Sequence, residues 1–98
     1  MIDGNYNIQM DTPLGLKKGT LALRTEGGTV FADIDAPLIG KRQMEGSCEG
    51  DTFTAQGSGK VKLLGNVDYT LQGEVVGDDI HVDIHSSKGD FQIDGTRV

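Results

Sequence analysis

Residues 66–85 read NVDYTLQGEVVGDDIHVDIH, and this stretch decides the fold. Apolar side chains alternate with polar ones on both sides of a central Gly77-Asp78 pair: Val67, Tyr69, Leu71 and Val75 before it, then Ile80, Val82 and Ile84 after it. An alternation with period two is typical of β-strands that bury one face. A Gly-Asp pair between two such segments favours a two-residue hairpin turn, because glycine readily adopts the positive φ that the turn requires. The stretch therefore predicts an antiparallel hairpin with one apolar face and one polar face.

The same pattern continues in both directions along the chain. Further two-residue turns are indicated at Gly27-Gly28 and Gly50-Asp51, and longer loops at 12–19, 36–41, 63–66 and 86–89. Seven turns separate eight strands and leave no segment for a helix. Closing an antiparallel sheet of even strand number buries its apolar face and removes both edges. We predict one all-β domain over residues 1–98, an eight-stranded antiparallel up-and-down (meander) β-barrel, with a flattened sandwich as the alternative.

Several glycines have positions that suit a barrel. Gly46, Gly73 and Gly95 fall on the inward-facing parity near strand ends, where glycine lets a strand bend sharply. The Gly57-Ser58-Gly59 stretch has no helix N-terminus that would make it a phosphate site, so it predicts a β-bulge in the fifth strand.

Composition excludes several classes of function. Nine basic and 15 acidic residues give a net charge of −6, which disfavours a nucleic-acid partner. The single cysteine, Cys48, excludes an internal disulfide and a cysteine-rich zinc site. No apolar run is long enough for a membrane span or a signal peptide, so we expect a cytoplasmic protein.

The two ends of the predicted barrel differ in charge. The tight-turn end is acidic, whereas the loop end and its flanks hold seven of the nine basic residues: Lys17, Lys18, Lys41, Arg42, Lys60, Lys62 and Lys88. Leucines also occupy these loops, where polar residues are the norm. Cations that steer an anion and apolar side chains that contact its tail would form the mouth of a ligand site. The candidate ligand-binding residues are Arg42, Lys41, Leu38, Leu16, Leu64 and Tyr69. Arg42 is the candidate anion anchor, because it has inward parity at the rim; the alternative is that its side chain extends outward over Leu38 and is only a rim charge.

Three interpretations of these apolar loop tips stay open. The leucines could plug the barrel, contact a second copy in a homo-oligomer, or surround a small apolar or anionic ligand. Two functions follow. One is a non-enzymatic barrel that binds a small apolar or amphiphilic anionic molecule, and the alternative is a solidly packed accessory or oligomerisation module.

The chain termini resemble those of the calycins, the superfamily of lipocalins and avidins. The first strand opens Gly4-Asn5-Tyr6 and the last closes Gly95-Thr96-Arg97. This is similar to the calycin pattern of Gly-x-Trp on strand one beside a basic residue on the last strand, with Tyr6 at the position of the Trp. The repeated Gly-Thr-Leu and Gly-Asp-x-Ile pattern also looks like small bacterial calycin-like proteins. The resemblance implies a ligand inside the barrel and contact between Tyr6 and Arg97.

Catalytic and metal-ligating residues are sparse. Inward parity offers Tyr6, Tyr69, Cys48, Arg42 and Arg97 but no carboxylate or histidine, so we predict no catalytic residues, no cofactor and no enzyme activity. His81 and His85 flank Asp83 on one strand face and are weak candidate metal ligands. We expect His81 opposite Asp94 and His85 opposite Asp90 as polar pairs on the outer surface, and hence no metal site.

Overall fold

A computed structural model describes residues 2–12, 15–36, 40–61, 65–87 and 89–98. They form a closed barrel whose strands follow chain order, each antiparallel to the next. The strands are β1 (Gly4–Thr12), β2 (Gly15–Glu26), β3 (Thr29–Ala36), β4 (Gly40–Glu49), β5 (Thr52–Val61), β6 (Gly65–Val76), β7 (Asp79–Ser86) and β8 (Gly89–Arg97). The described residues contain no helix, so the predicted all-β meander barrel is confirmed. It follows that no helix in these ranges could cross a membrane.

The predicted two-residue turns are also confirmed. Gly27, Gly50 and Gly77 each begin a turn with φ near +60°, the left-handed conformation that glycine adopts without strain. The loops at the other end are shorter than predicted. β1 runs to Thr12 and β2 starts at Gly15, so most of the predicted loop 12–19 is strand. The sequence carries no alternation that marks this extension, because the inward positions 15, 17 and 19 are Gly, Lys and Gly and the apolar Leu16 falls on the outward parity.

The barrel is two four-stranded sheets joined along two short seams. β4 pairs with β5 only from Glu45↔Gln56 to Glu49↔Thr52, and β1 pairs with β8 only from Tyr6↔Arg97 to Met10↔Ile93. Both seams leave the strand ends nearest the loop end unpaired. The molecule measures 35 × 23 × 18 Å, so its cross-section is flattened. The barrel is thus closed most firmly at the tight-turn end.

The predicted bulge at Gly57-Ser58-Gly59 is wrong. β5 pairs with β6 without interruption from Thr52↔Glu74 to Val61↔Gly65. The three residues instead lie where β5 departs from β4, beyond the last pair at Gln56. Glycines within a strand can mark several structural features. Here they follow the point where β5 stops pairing with β4.

The core is the inward face of the strands, with almost all of its predicted members buried. The inward glycines are points where neighbouring strands or rings approach closely. A Cβ on Gly46 would lie 1.7 Å from the Thr54 carbonyl oxygen, and one on Gly95 would lie 2.5 Å from that of Asn7. A Cβ on Gly73 would lie 2.2 Å from the Phe53 ring. Neighbouring backbone and rings therefore occupy the space that side chains would need.

Candidate ligand-binding site

The tight-turn end is closed by side chains from both chain termini. Arg97 Nη2 donates to the Tyr6 hydroxyl at 2.9 Å, and its guanidinium carbon lies 5.4 Å from the Tyr6 ring centroid. The predicted Tyr6–Arg97 contact is therefore confirmed, and it lies at a cross-strand pair of the β1–β8 seam. The Tyr6 hydroxyl in turn donates to the Ile2 carbonyl at 2.7 Å.

Residues 2–3 add a cap that the sequence analysis missed. Ile2 is only 1% exposed. The Asp3 carboxylate accepts from the Thr25 hydroxyl at 2.6 Å and from the Thr25 amide at 3.0 Å. These bonds hold the pKa of Asp3 below its usual value, chiefly through the hydroxyl. Ile2 precedes the first alternating segment, so no periodicity marked it as core. These contacts, together with those of Arg97, cap the tight-turn end of the barrel.

Arg42 and Tyr69 meet near the loop end. Arg42 is the third residue of β4, with inward parity and half-buried, and Tyr69 lies on β6 with 8% of its surface exposed. The Arg42 side chain lies near enough to the Tyr69 hydroxyl to influence its pKa, and its Nη1 donates to the Lys41 carbonyl oxygen at 3.0 Å. The guanidinium therefore brings a positive charge to the inner side of the barrel wall.

Tyr69 keeps its proton at neutral pH. Burial raises the pKa of the Tyr69 phenol, and the positive charge and hydrogen bond of Arg42 oppose the rise only in part. A neutral phenol does not neutralise the guanidinium beside it. The site therefore combines a fixed positive charge with a hydroxyl that can donate or accept a hydrogen bond.

An apolar surface adjoins this pair. Gly57 is the cross-strand partner of Tyr69, and a Cβ there would lie 2.8 Å from Tyr69 Cε2 and 3.0 Å from Met44 Cγ. The absence of a side chain at position 57 thus leaves room for the Tyr69 ring and the Met44 side chain on either side of Gly57. The combination of one charge with an aromatic ring and a thioether suits an amphiphilic anion.

The other predicted site residues do not all join Arg42 and Tyr69. Lys41 lies beside Arg42 but is exposed on the outer face. Leu16 is 56% exposed, on the outer face of β2 rather than over the mouth. Leu38 and Leu64 lie outside the described residues.

Sequence reasoning also missed a groove on the outer face of the barrel. It measures about 840 Å³ and crosses β1 to β4, lined by side chains that include Asn5, Asn7, Thr20, Asp33, Asp35, Lys41 and Gln43. These residues form cross-strand rows on the polar face, such as Asn7, Thr20, Asp35 and Lys41. Alternation identifies such a face as outward but carries no information about its curvature.

The histidines of β7 form the predicted polar pairs with β8. His81 stands opposite Asp94 and His85 opposite Asp90. His81 Nδ1 lies 2.6 Å from Asp94 Oδ1, and its Nε2 lies 3.1 Å from Asp83 Oδ1. Within the described ranges, no group of three or more His, Cys, Asp or Glu side chains is arranged so that it could hold a metal ion.

We expect the stability of the protein to fall as pH rises above about 6.5, the ordinary histidine pKa. The bond to Asp94, helped by Asp83, raises the pKa of His81 in the folded state. Protonated His81 is therefore favoured by folding, and its contribution is present below the unfolded pKa and lost as pH passes the folded value. The effect is small, because the side chain is 47% exposed. Thermal melts between about pH 5.5 and 8.5 on the wild type and Asp94→Asn measure it. An equal pH slope in both proteins would contradict this assignment.

Comparisons with known proteins identify the fold. No known family model matches the chain, and no curated protein sequence matches it. Among solved structures, the redesigned β-barrel mFAP1, bound to DFHBI, is 14% identical with a TM-score of 0.74, covering 99% of this chain and 94% of its own. A second redesigned barrel, b11L5F_LGL, is 15% identical with a TM-score of 0.68, covering 99% and 91%. A de novo designed fluorescence-activating β-barrel is 14% identical with a TM-score of 0.62, covering 98% and 93%. At these identities the similarity establishes the barrel fold alone.

Proposed function

We propose that this chain is a non-enzymatic barrel that binds a small amphiphilic anion at its loop end, with Arg42 as the anion anchor. The observation that carries the proposal is the placement of Arg42. Arg42 is half-buried, its Nε is withdrawn from solvent, its Nη1 donates to the Lys41 carbonyl, and it lies near the Tyr69 hydroxyl. An ionic contact in such partly dehydrated surroundings is worth more than one on the open surface.

The closure of the barrel at one end supports entry of a ligand from the other, the loop end. Ile2, Tyr6 and Arg97 close the tight-turn end. Pairing at both seams stops short of the loop end. A ligand would therefore reach the lumen from the loop end. The barrel neighbour mFAP1 was solved bound to a small molecule, DFHBI, and similar occupancy is proposed here for this chain.

A binding role fits the inner surface better than catalysis. The buried side chains of the described residues are aliphatic, aromatic or methionine, with hydroxyls only on Tyr6 and Tyr69. General acid–base chemistry would need carboxylates or histidines that converge on the lumen. The histidines of β7 and their aspartate partners on β8 are instead exposed on the outer face.

We expect Arg42→Ala to weaken the binding of dodecanoate or an aromatic carboxylate at least tenfold, about 1.4 kcal/mol. Calorimetric titration measures the affinity, with methyl dodecanoate as the uncharged probe. Arg24→Ala is the matched control, because it removes the same charge from the outer face, where Arg24 lies 4.9 Å from the Phe31 ring centroid. Arg24→Ala should bind as the wild type does.

Two results would count against the proposal in different ways. Unchanged affinity in Arg42→Ala would remove Arg42 from the site. Failure of the wild type to bind any of these probes would favour the packed accessory or oligomerisation module instead.

We also propose a calycin-like origin, with a single domain over residues 1–98 and a bacterial, cytoplasmic setting. The contact between Tyr6 and Arg97 supports the calycin comparison, because it joins the first strand to the last as the resemblance implies.

A further inference from the structure

A wedge-shaped gap separates β4 from β5 near the loop end. It is bordered by residues 40–44 of β4 and 57–61 of β5, and we refer to it as the β4–β5 gap. β4 is paired with β3 throughout these residues, and β5 with β6. In the described residues, pairing of β4 with β5 ends at Glu45↔Gln56. Each border of the gap is therefore a strand edge inside an otherwise closed wall.

The alternation of the ladder identifies the backbone groups that face this gap. Glu49 and Thr52 flank a two-residue turn, so they form a hydrogen-bonded pair. Such pairs recur at every second residue. If the ladder continued beyond Glu45↔Gln56, the next hydrogen-bonded pairs would be Gln43 with Ser58 and Lys41 with Lys60. The Cys48 amide donates to the Gly28 carbonyl, just before β3, and the Val75 amide to the Asp51 carbonyl, just before β5, which agrees with this parity. The Ser58 and Lys60 amides thus point toward β4 across the gap.

Arg42 extends into the same gap. The Lys41 carbonyl is one of the gap-facing groups, and it accepts a hydrogen bond from Arg42 Nη1 at 3.0 Å. The guanidinium thus donates to a carbonyl oxygen that, in a complete ladder, would accept a hydrogen bond from a β5 amide. Arg42 also has inward parity on β4, as Tyr69 has on β6, so its side chain starts from the inner face beside the gap.

Two clefts on the outer surface of the barrel lie beside the β4 and β5 borders of the gap. The outer groove of about 840 Å³ includes Lys41, Arg42 and Gln43. A second cleft, of about 460 Å³, is lined by residues 56–58 and 68–70. The gap therefore has accessible volume beside β4 and beside β5.

We propose that the β4–β5 gap is the subsite for a ligand carboxylate, held between the Arg42 guanidinium and the edge amides of Ser58 and Lys60. A carboxylate has two oxygens that accept from both kinds of donor. The apolar part of the ligand lies against Tyr69 and Met44. This inference rests on the proposed function, and it adds the chemical class of the head group and a lateral site in the barrel wall.

Ser58→Pro tests the subsite directly. Proline removes the amide hydrogen that faces the gap, while the parity of β5 leaves the bonds to β6 intact. A strand edge without a partner tolerates proline. Ser58→Ala is the matched control, because it removes the hydroxyl and keeps the amide. We expect Ser58→Pro to weaken dodecanoate binding at least about tenfold, with little change for methyl dodecanoate, and Ser58→Ala to bind both as the wild type does.

Amide chemical shifts of the wild type supply a measurement that does not depend on how the variant folds. Dodecanoate should shift the Ser58 and Lys60 amide protons downfield, and methyl dodecanoate should not. Wild-type binding that is lost in Arg42→Ala but leaves these amides and Ser58→Pro unaffected would overturn the subsite alone. Absence of wild-type binding would overturn the proposed function together with it.

Discussion

Gly46→Ala is expected to destabilise the barrel by about 3 kcal/mol or more, since overpacking costs 1–3 kcal/mol where side chains can adjust. The added Cβ would lie 1.7 Å from the Thr54 carbonyl oxygen and 2.6 Å from Ala55 Cα. These atoms belong to the backbone of β5, so no side-chain rotation can relieve the overlap. Gly46 is also paired with Ala55 in the short β4–β5 seam, and a shift there would weaken the pairing that closes the barrel.

Gly28→Ala is the matched control for this substitution. A Cβ at Gly28 would meet nothing within 4 Å, and Gly28 does not have the positive φ of its neighbour Gly27. Its replacement should be neutral or slightly stabilising, because alanine reduces the entropy of the unfolded chain. Urea unfolding of both variants gives the comparison. Equal stability of the two variants would show that the strands do not approach each other as described.

Phe53→Ala is expected to cost about 3–5 kcal/mol, the usual range for a buried phenylalanine. Phe53 is 2% exposed and stands opposite Gly73, where its ring fills the position of the missing side chain. An aromatic ring over a glycine in the neighbouring strand stabilises a sharply bent sheet. Domains of this size have a total stability of about 5–15 kcal/mol, so the loss would be a large part of it.

Two further variants separate this ring contact from general loss of apolar surface. Phe31→Ala removes the same side chain from the outer face, where Arg24 covers it, and should cost only about 1 kcal/mol. Gly73→Ala should destabilise the wild type but be tolerated together with Phe53→Ala, because the ring is then absent. Additive effects of the last two substitutions would contradict the contact.

Alternation and turn residues were sufficient to predict the architecture. Gly27, Gly50 and Gly77 marked the hairpins, and their positive φ values show why. Parity also placed Arg42 and Tyr69 on the inner face and set His81 opposite Asp94. Each of these features depends only on neighbouring residues or on the register of one hairpin. Local sequence patterns are therefore enough to predict them.

Features that depend on distant strands were not predictable in this way. The β4–β5 gap at Gly57 was interpreted as a bulge, because composition does not reveal where pairing on one side ends. Ile2 is held by a hydrogen bond to Tyr6 and lies outside any alternating segment. Leu16 was assigned to a loop although it is in strand β2.

Hydrogen exchange of backbone amides along β4 and β5 tests most directly the claim that the barrel is closed at its tight-turn end and open at the β4–β5 gap. The amides of Glu45, Ser47, Thr54 and Gln56 lie in the paired part of the seam and should show strong protection. Those of Lys41, Gln43, Ser58 and Lys60 face the gap and should exchange orders of magnitude faster. Equal protection along the full length of both strands would mean that the ladder is complete, and it would contradict both the opening and the carboxylate subsite placed there.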